Sequence, residues 1–588
     1  MKLKHLYMLG VVALMTASCN EDRFLDLKPQ GMTSTEGADL LVNAAYAALG
    51  GPEGQSWSVW CHPTSNWTYG EVRSDNAYKG GGGVGDLNEV HRMETFDMDA
   101  TNGFLDSKWY HLYCSVQRCN SALRVLNAAT DEQVNGRVSR IAEMKVLRAH
   151  YYFELSRLFN KIPYFDENVE ISQYPDIPNN EFTRDEILSM LAKEMLDAAE
   201  LLPASQSEVG RIHKYIALAY AAKIKLYQAY QQDETTHAVT SINKELLREV
   251  VSLCDQVTAS NRYGLLDDFQ GLDLVANENG KESVFAIQYS MNDGTESAGR
   301  INWSNLLNSP GGGSPYGGDG FFLPSQDLIN AYQTDANGLP DFNYQSKSDY
   351  SWAVLNNGVY TLQNTTPNVD PRLDFVVGRP TITWKTYPDK PCEGWVRDKE
   401  TYGYNCAKRF WVSPESSDMF NGWPWGASQL NWQIIRYADI LLWKAEALIE
   451  LNEGDGLETA RDLINQIRNR ARNSAYVKDF NDHSKYAANY LVNPYPADVW
   501  NQDYARQALR WETRLEKALE GERFFDLVRW GIVETTMNKY ITAESDNRIY
   551  YANAHFTGGK DEYYPVPNNQ YGFSGGKYVQ NPGYAPFN

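Results

Sequence analysis

The feature that most constrains the fold is a pair of apolar stripes near the carboxy end. From Asn431 to Leu451 the apolar positions Ile434, Ala438, Leu441, Leu442, Ala445, Leu448 and Ile449 recur three and four apart, which places them on one face of a helix. The turn Asn452-Glu453-Gly454-Asp455-Gly456 follows, and Leu457, Ala460, Ile464, Ile467 and Ala471 then repeat the spacing. Two such stripes joined by a short turn predict an antiparallel helical hairpin. Further pairs are read at Thr183 to Leu202 with Ile212 to Ala229, and at Phe104 to Leu126 with Val134 to Phe159. Several hairpins with small residues at the crossings predict a mostly α fold built from tetratricopeptide-like units.

The stretch from about 261 to 430 differs, being rich in Gly, Pro, Asn and aromatic residues. Within it Glu282 to Tyr289 reads as a strand and Gly311 to Gly320 as an extended irregular loop. No Pro- or Ser-rich linker divides the chain, so one unit with large insertions is expected. Its parts are a helical scaffold over about 19–260, a loop-rich insertion over about 261–430, and a helical pair, further helix and tail over about 431–588. The tail from Tyr563 to Asn588 should run extended over the body. Binding residues concentrate on loops carried by a rigid scaffold, which turns attention to the insertion.

The amino end predicts export. Lys2 and Lys4 precede a short apolar run from Leu6 to Met15, and Thr16-Ala17-Ser18-Cys19 places small residues before a cysteine. Residues 1–18 are therefore expected to be a lipoprotein signal and Cys19 the lipidated position, with the acyl chains supplying the membrane anchor. No later segment is apolar enough to span a bilayer. The formal charge is −21, and it becomes more negative without Lys2 and Lys4. Such a surface repels nucleic acid and offers no polybasic membrane patch. The remaining cysteines form no zinc pattern. Cys392 and Cys406 flank a short loop, where an exported protein could carry either a disulfide or two buried thiols.

Arg73-Ser74-Asp75-Asn76, Glu520-Gly521 with Arg523-Phe524-Phe525-Asp526, and Tyr564 to Pro567 are among motifs along nearly the whole chain that resemble those of the SusD/RagB family of outer-membrane nutrient-binding lipoproteins. Phe24-Leu25-Asp26 with Pro29, and Arg73-Ser74-Asp75-Asn76, resemble its early segments. Ala142 through Phe153 to Ile162-Pro163 resembles its central helix, with Asn160 where glycine is usual. Arg436-Tyr437-Ala438-Asp439, Glu446-Ala447 and Asn465 to Arg468 resemble its carboxy-terminal helical pair. Glu512, Arg514, Glu516, Glu520-Gly521, Arg523 to Leu527 and Arg529-Trp530-Gly531 resemble its most distinctive motif, from which Thr513 and Lys517 depart in a way that reads as surface drift. Tyr564 to Pro567 and Gln580 to Tyr584 complete the pattern. The acidic Asn20-Glu21-Asp22 resembles the tag that carries Bacteroides-type lipoproteins to the outer surface.

The resemblance implies tetratricopeptide-like helical hairpins packed against an irregular loop-rich half with short strands. It also implies a non-catalytic lid that captures glycan for a SusC-like TonB-dependent transporter. The motif acids and arginines read as a buried charge network and not as ligand contacts. A glycan site needs flat aromatic faces for sugar rings and amide, carboxylate or guanidinium groups for hydroxyls. Trp303, Tyr78, Tyr316 and Tyr404 are the aromatic candidates, and Asp75, Asn76 and Arg372 the polar ones. Trp57, Trp60 and Trp67 have helix-like neighbours and read as core. A peptide-binding lid shares every scaffold motif. A secreted hydrolase has no supporting constellation, since neither a nucleophile elbow nor a zinc-protease motif is present. Gly80, Gly82 and Gly85 fit a nucleotide-loop spacing but follow no clear strand, and read as a flexible loop. Asp97 and Asp99 form a carboxylate pair only in sequence. No cofactor or metal is expected.

Overall fold

The predicted stripes become helices that pack in chain order. The computed structural model describes residues 36–51, 64–294, 300–302, 310–311, 313–387, 392–422 and 425–587. Its scaffold helices are α1 (Glu36–Gly50), α2 (Gly103–Ala128), α3 (Arg137–Phe159), α4 (Arg184–Leu201), α5 (Lys214–Ala229), α6 (Lys244–Ala259), α7 (Tyr437–Leu451), α8 (Gly456–Asn473), α9 (Gln502–Glu516) and α10 (Arg523–Arg529). From α2 to α8 each of these helices packs on the next, including α6 on α7, although the loop-rich stretch separates those two in sequence. Each end has a local cause. Asn102 accepts from the Phe104 and Leu105 amides to start α2, Thr183 and Glu186 cap α4 reciprocally, and Asn160 ends α3 at φ +57°.

α7 begins later than the periodicity suggests. Trp432–Arg436 is a strand, antiparallel to Ser283–Ile287, and only then does the chain turn into α7. Six such two-stranded pairings occur among the described residues and none grows larger, so the insertion is held by side chains more than by a sheet. The tail is not extended throughout, since Asn568–Phe573 is a short helix, and its end packs on the body: Asn581 donates to Phe159 O at 2.7 Å, and Asn179 exchanges two hydrogen bonds with Val579.

The distinctive motif is a buried network that joins scaffold to insertion. Arg436, at the strand-to-α7 junction, reaches Glu516 at 2.6 Å, Glu282 at 3.0 Å and Glu520 at 3.0 Å. Arg372 reaches Glu512 at 2.7 Å and Glu516 at 3.0 Å, and Arg468 reaches Glu512 at 3.0 Å. All these side chains are almost fully buried, so removing one partner strands a charge at a cost of about 3–5 kcal/mol. Lys517 and Thr513 are not surface drift. Lys517 is buried and pairs with Asp439 at 2.7 Å and Glu520 at 2.6 Å, while the buried Thr513 hydroxyl donates to Leu509 O at 2.9 Å. Trp67 is core, as its neighbours suggest, in a short π-helical turn at Trp67–Val72; Trp57 and Trp60 lie outside the described residues. Among the described residues no helix is long and apolar enough to cross a membrane.

Candidate functional site

Three segments converge: the one around Asp75 and Tyr78, the glycine-rich Gly311 to Gly320, and the stretch from Arg372 to Tyr404. Strand Ala77–Gly80 pairs antiparallel with Phe321–Pro324, bringing the first segment against the glycine-rich second. Gly81 N then donates to Gly320 O at 2.9 Å. Glycine is required at Gly81, because its φ is +77° and a Cβ there would sit 2.3 Å from the Phe321 ring. The loop that follows is braced, not flexible. The Lys79 ammonium donates to the carbonyls of Gly80 at 2.9 Å and Gly83 at 2.8 Å, and to that of Asp86.

Arg397 ties in the third segment. Its Nη1 donates to Asp86 Oδ2 at 3.1 Å and to Asp319 O at 2.8 Å, so one exposed guanidinium touches both other loops. Burial raises the Asp319 carboxyl above its ordinary value, with Arg397 opposing. Farther along the same segment Tyr404 meets Tyr360 edge to face, with ring centroids 5.4 Å apart and planes at 81°. Both rings are half-buried and keep part of their faces in solvent. Tyr360 is presented by the hairpin Trp352–Asn356/Val359–Gln363, whose Asn356-Asn357-Gly358 turn has positive φ at Asn357 and Gly358. The third segment thus carries one half of an aromatic corner, Tyr404 with Tyr360, and a guanidinium, Arg397, that ties it to the other two loops; such groups can stack on a sugar face and exchange hydrogen bonds with its hydroxyls.

Of the residues singled out in the sequence, Tyr404 alone among those described lies at this surface. Asp75, Asn76, Tyr78, Tyr316 and Arg372 are all buried, and internal partners occupy them. Asp75 pairs with Arg523 at 2.8 Å and Arg514 at 3.2 Å. Burial alone would raise its carboxyl, but Arg514 and Arg523 hold it down at about 2. Asn76 bridges Glu71 and Arg514 at 2.9 Å each. The Tyr78 hydroxyl donates to Glu544 at 2.7 Å, and that of Tyr316 to Val412 O at 2.7 Å while accepting from Trp384 Nε1. Arg372 grips Asp370 through two bonds in the turn that opens its own short helix. These five position the loops from beneath.

Trp303 and Cys19 lie outside the described residues. The chain leading to Trp303 is fixed by Asn302, whose amide donates to Ser428 O at 2.8 Å and whose side chain donates to Leu430 O at 2.7 Å. On the segment that Asn302 binds, Trp425 stands 49% exposed. Cys392 and Cys406 are buried free thiols and form no disulfide. Burial raises both well above the ordinary thiol value, Cys406 to about 12, which keeps them protonated and unreactive. Asp99 and Asp97 share Arg92, at 2.7 and 3.7 Å, and do not flank a cleft as a catalytic pair would. Among the described residues no group of His, Cys, Asp and Glu is placed to hold a metal ion.

The architecture is thus a scaffold of helical hairpins carrying one large loop-rich insertion. The chain belongs to the SusD family, whose profile matches residues 281–584. A second profile, described as starch-binding associating with outer membrane, matches residues 24–226. The SusD-like protein P2 of Formosa agariphila is 24% identical, with 98% of each chain covered. A SusD homolog from Bacteroides thetaiotaomicron superposes with a TM-score of 0.69 at 18% identity, covering 97% of this chain and all of the other. Surface glycan-binding protein A of the same organism, in complex with laminarihexaose, superposes at 0.62 with 19% identity, covering 93% and 99%.

Proposed function

We propose that this protein captures an oligo- or polysaccharide at the loop convergence and passes it to a SusC-like TonB-dependent transporter. It does so without catalysis, held on the outer face of the outer membrane by lipid on Cys19. The observation that carries the reading is the half-buried Tyr360–Tyr404 corner, carried on the segment that Arg397 ties to Asp86 and Asp319. The laminarihexaose complex of a relative supports the choice of carbohydrate as ligand class. In this reading Asp75, Tyr78, Tyr316 and Arg372 hold the loops, and Trp303 adds a further face from the second loop.

The test is binding of the mature protein to a polysaccharide panel, by affinity electrophoresis and calorimetry, repeated with Tyr360→Ala and Tyr404→Ala. Each truncation is expected to weaken binding about tenfold, the equivalent of ~1.4 kcal/mol, near the top of what an aromatic contact contributes. Retained affinity in both variants removes the corner from the site. Binding to peptides with no glycan bound replaces the ligand class.

A further inference from the structure

A separate cleft of about 530 Å³ lies between the α4–α5 turn and strand Ser283–Ile287, and none of its lining residues belongs to the loop convergence. That volume lies inside the roughly 300–1,000 Å³ that ligand sites occupy. Its floor is the buried face of Val284, Phe285 and Ala286. One wall is set by Gly210, at φ +83°, where a Cβ would meet Gln288 Cγ at 2.5 Å. Beside it Arg211 is fixed by Glu143 at 3.0 Å and by Glu208. On the opposite wall the half-buried Tyr263 ring has its hydroxyl 3.2 Å from His213 Nε2. The other nitrogen of that buried imidazole has no hydrogen-bond partner. Asn279 and Gln288 exchange two amide bonds at the rim, at 2.9 and 3.0 Å.

The charge balance of the walls narrows the ligand. Arg211 is neutralised by its two glutamates and Lys281 by Asp267 at 2.9 Å. The exposed Arg262 pairs with no carboxylate among the described residues; its guanidinium donates to the Tyr263 hydroxyl and keeps its other N–H donors at the mouth. The cleft thus combines an aromatic face, rim amides and one available guanidinium, with little net field to select an ion.

The geometry points to this cleft as a second carbohydrate-binding site, in which a short neutral oligosaccharide segment stacks on Tyr263 and hydrogen-bonds to Arg262 and Asn279. The inference rests on the glycan reading above. A polymer chain held at two places on one molecule dissociates more slowly than from either alone, because release of one segment leaves the other bound.

The experiment measures stoichiometry with laminarihexaose and with oligosaccharides cut from whichever panel polymer binds, using calorimetry and native mass spectrometry. The double variant Arg262→Ala/Tyr263→Ala, with Tyr263→Phe as the milder change, is compared with Tyr360→Ala/Tyr404→Ala. Two sites in the parent protein, one lost in each double variant with the melting temperature unchanged, are expected. One site that is indifferent to the cleft variants overturns the cleft and leaves the loop site standing. No glycan bound by the parent protein overturns the glycan reading itself, and the cleft with it. A peptide taken up by the cleft in place of sugar also refutes the assignment.

Discussion

Replacing Lys79 by methionine keeps the aliphatic stem and removes the ammonium that three loop carbonyls share. Two contributions to stability oppose each other. The buried Gly80 carbonyl loses its partner, which costs about 2 kcal/mol, and the partly solvated carbonyls of Gly83 and Asp86 recover much of theirs from water, so the total is ~3 kcal/mol. Against this, burial lowers the Lys79 pKa from 10.5 to about 8, with Glu94 and Asp86 opposing. That shift is a net figure, burial less the attractions of Glu94 and Asp86, and it puts the cost of keeping the ammonium charged at about 3 kcal/mol. The terms nearly cancel, so Lys79→Met should leave the urea midpoint almost unchanged while the loop loses its brace. Amide hydrogen exchange over residues 79–87 should speed up at least tenfold, and glycan affinity should fall with it. The wild type offers a second arm. Its folded-state pKa lies below the unfolded value, so between pH 8 and 10.5 the unfolded chain holds more protons, and this group makes the fold more stable as pH rises. Loop order moves the other way as the ammonium discharges. Glycan affinity should therefore drop between pH 7 and 9.5 in the wild type and stay flat in the variant. Unchanged exchange in the variant, or a large loss of global stability, would refute the bracing argument.

Glu516→Gln should destabilise the protein by about 3–5 kcal/mol in urea unfolding, because Arg372, Arg436 and Arg470 lose a shared buried counter-charge. Acid should act through the same carboxylates. Burial raises Asp75 and Glu516, but their arginines win and hold both at about 2, so their contribution is complete above about pH 4.5 and lost as pH falls towards 2. Circular dichroism across pH 5 to 2 should show stability falling, less steeply in Glu516→Gln. Gly521→Ala should cost more than ~1 kcal/mol, since its φ is +84° and a Cβ would meet Ser65 O at 2.3 Å; its thermal midpoint checks this.

The helices were legible because their signal is local: the stripe from Ala438 to Ile449 needs only its own residues to be read. The same spacing runs through α6 in Leu247, Val250, Leu253, Cys254 and Val257, although that segment lies outside the predicted hairpins. The strand at Trp432–Arg436 was not legible as one, because what makes it a strand is Ser283–Ile287, far off in sequence. The site shows the same division. Tyr78 and Tyr404 are equally good sugar platforms as residue types, and what separates them is a glutamate at position 544 that takes the Tyr78 hydroxyl inside. Tyr360 left a local trace, since Asn357-Gly358 between short β-prone runs is a hairpin signal that places the next tyrosine at a turn. Arg397 left none, for its meaning comes from two loops that arrive from elsewhere.

The packing of α6 on α7 has an evolutionary corollary. Where the stretch from 260 to 436 leaves the helical stack and where it returns are neighbours in space, so its two ends close at the same place whatever lies between them. Closure entropy grows only slowly with loop length, each doubling adding about 0.6 kcal/mol. Such a stretch can be lengthened or trimmed with modest effect on the helices wherever Glu282 and Arg372, which meet the buried charges of the scaffold, are kept. A lineage built on this plan can vary the outer loops of one passage of sequence while its helices stay as they are.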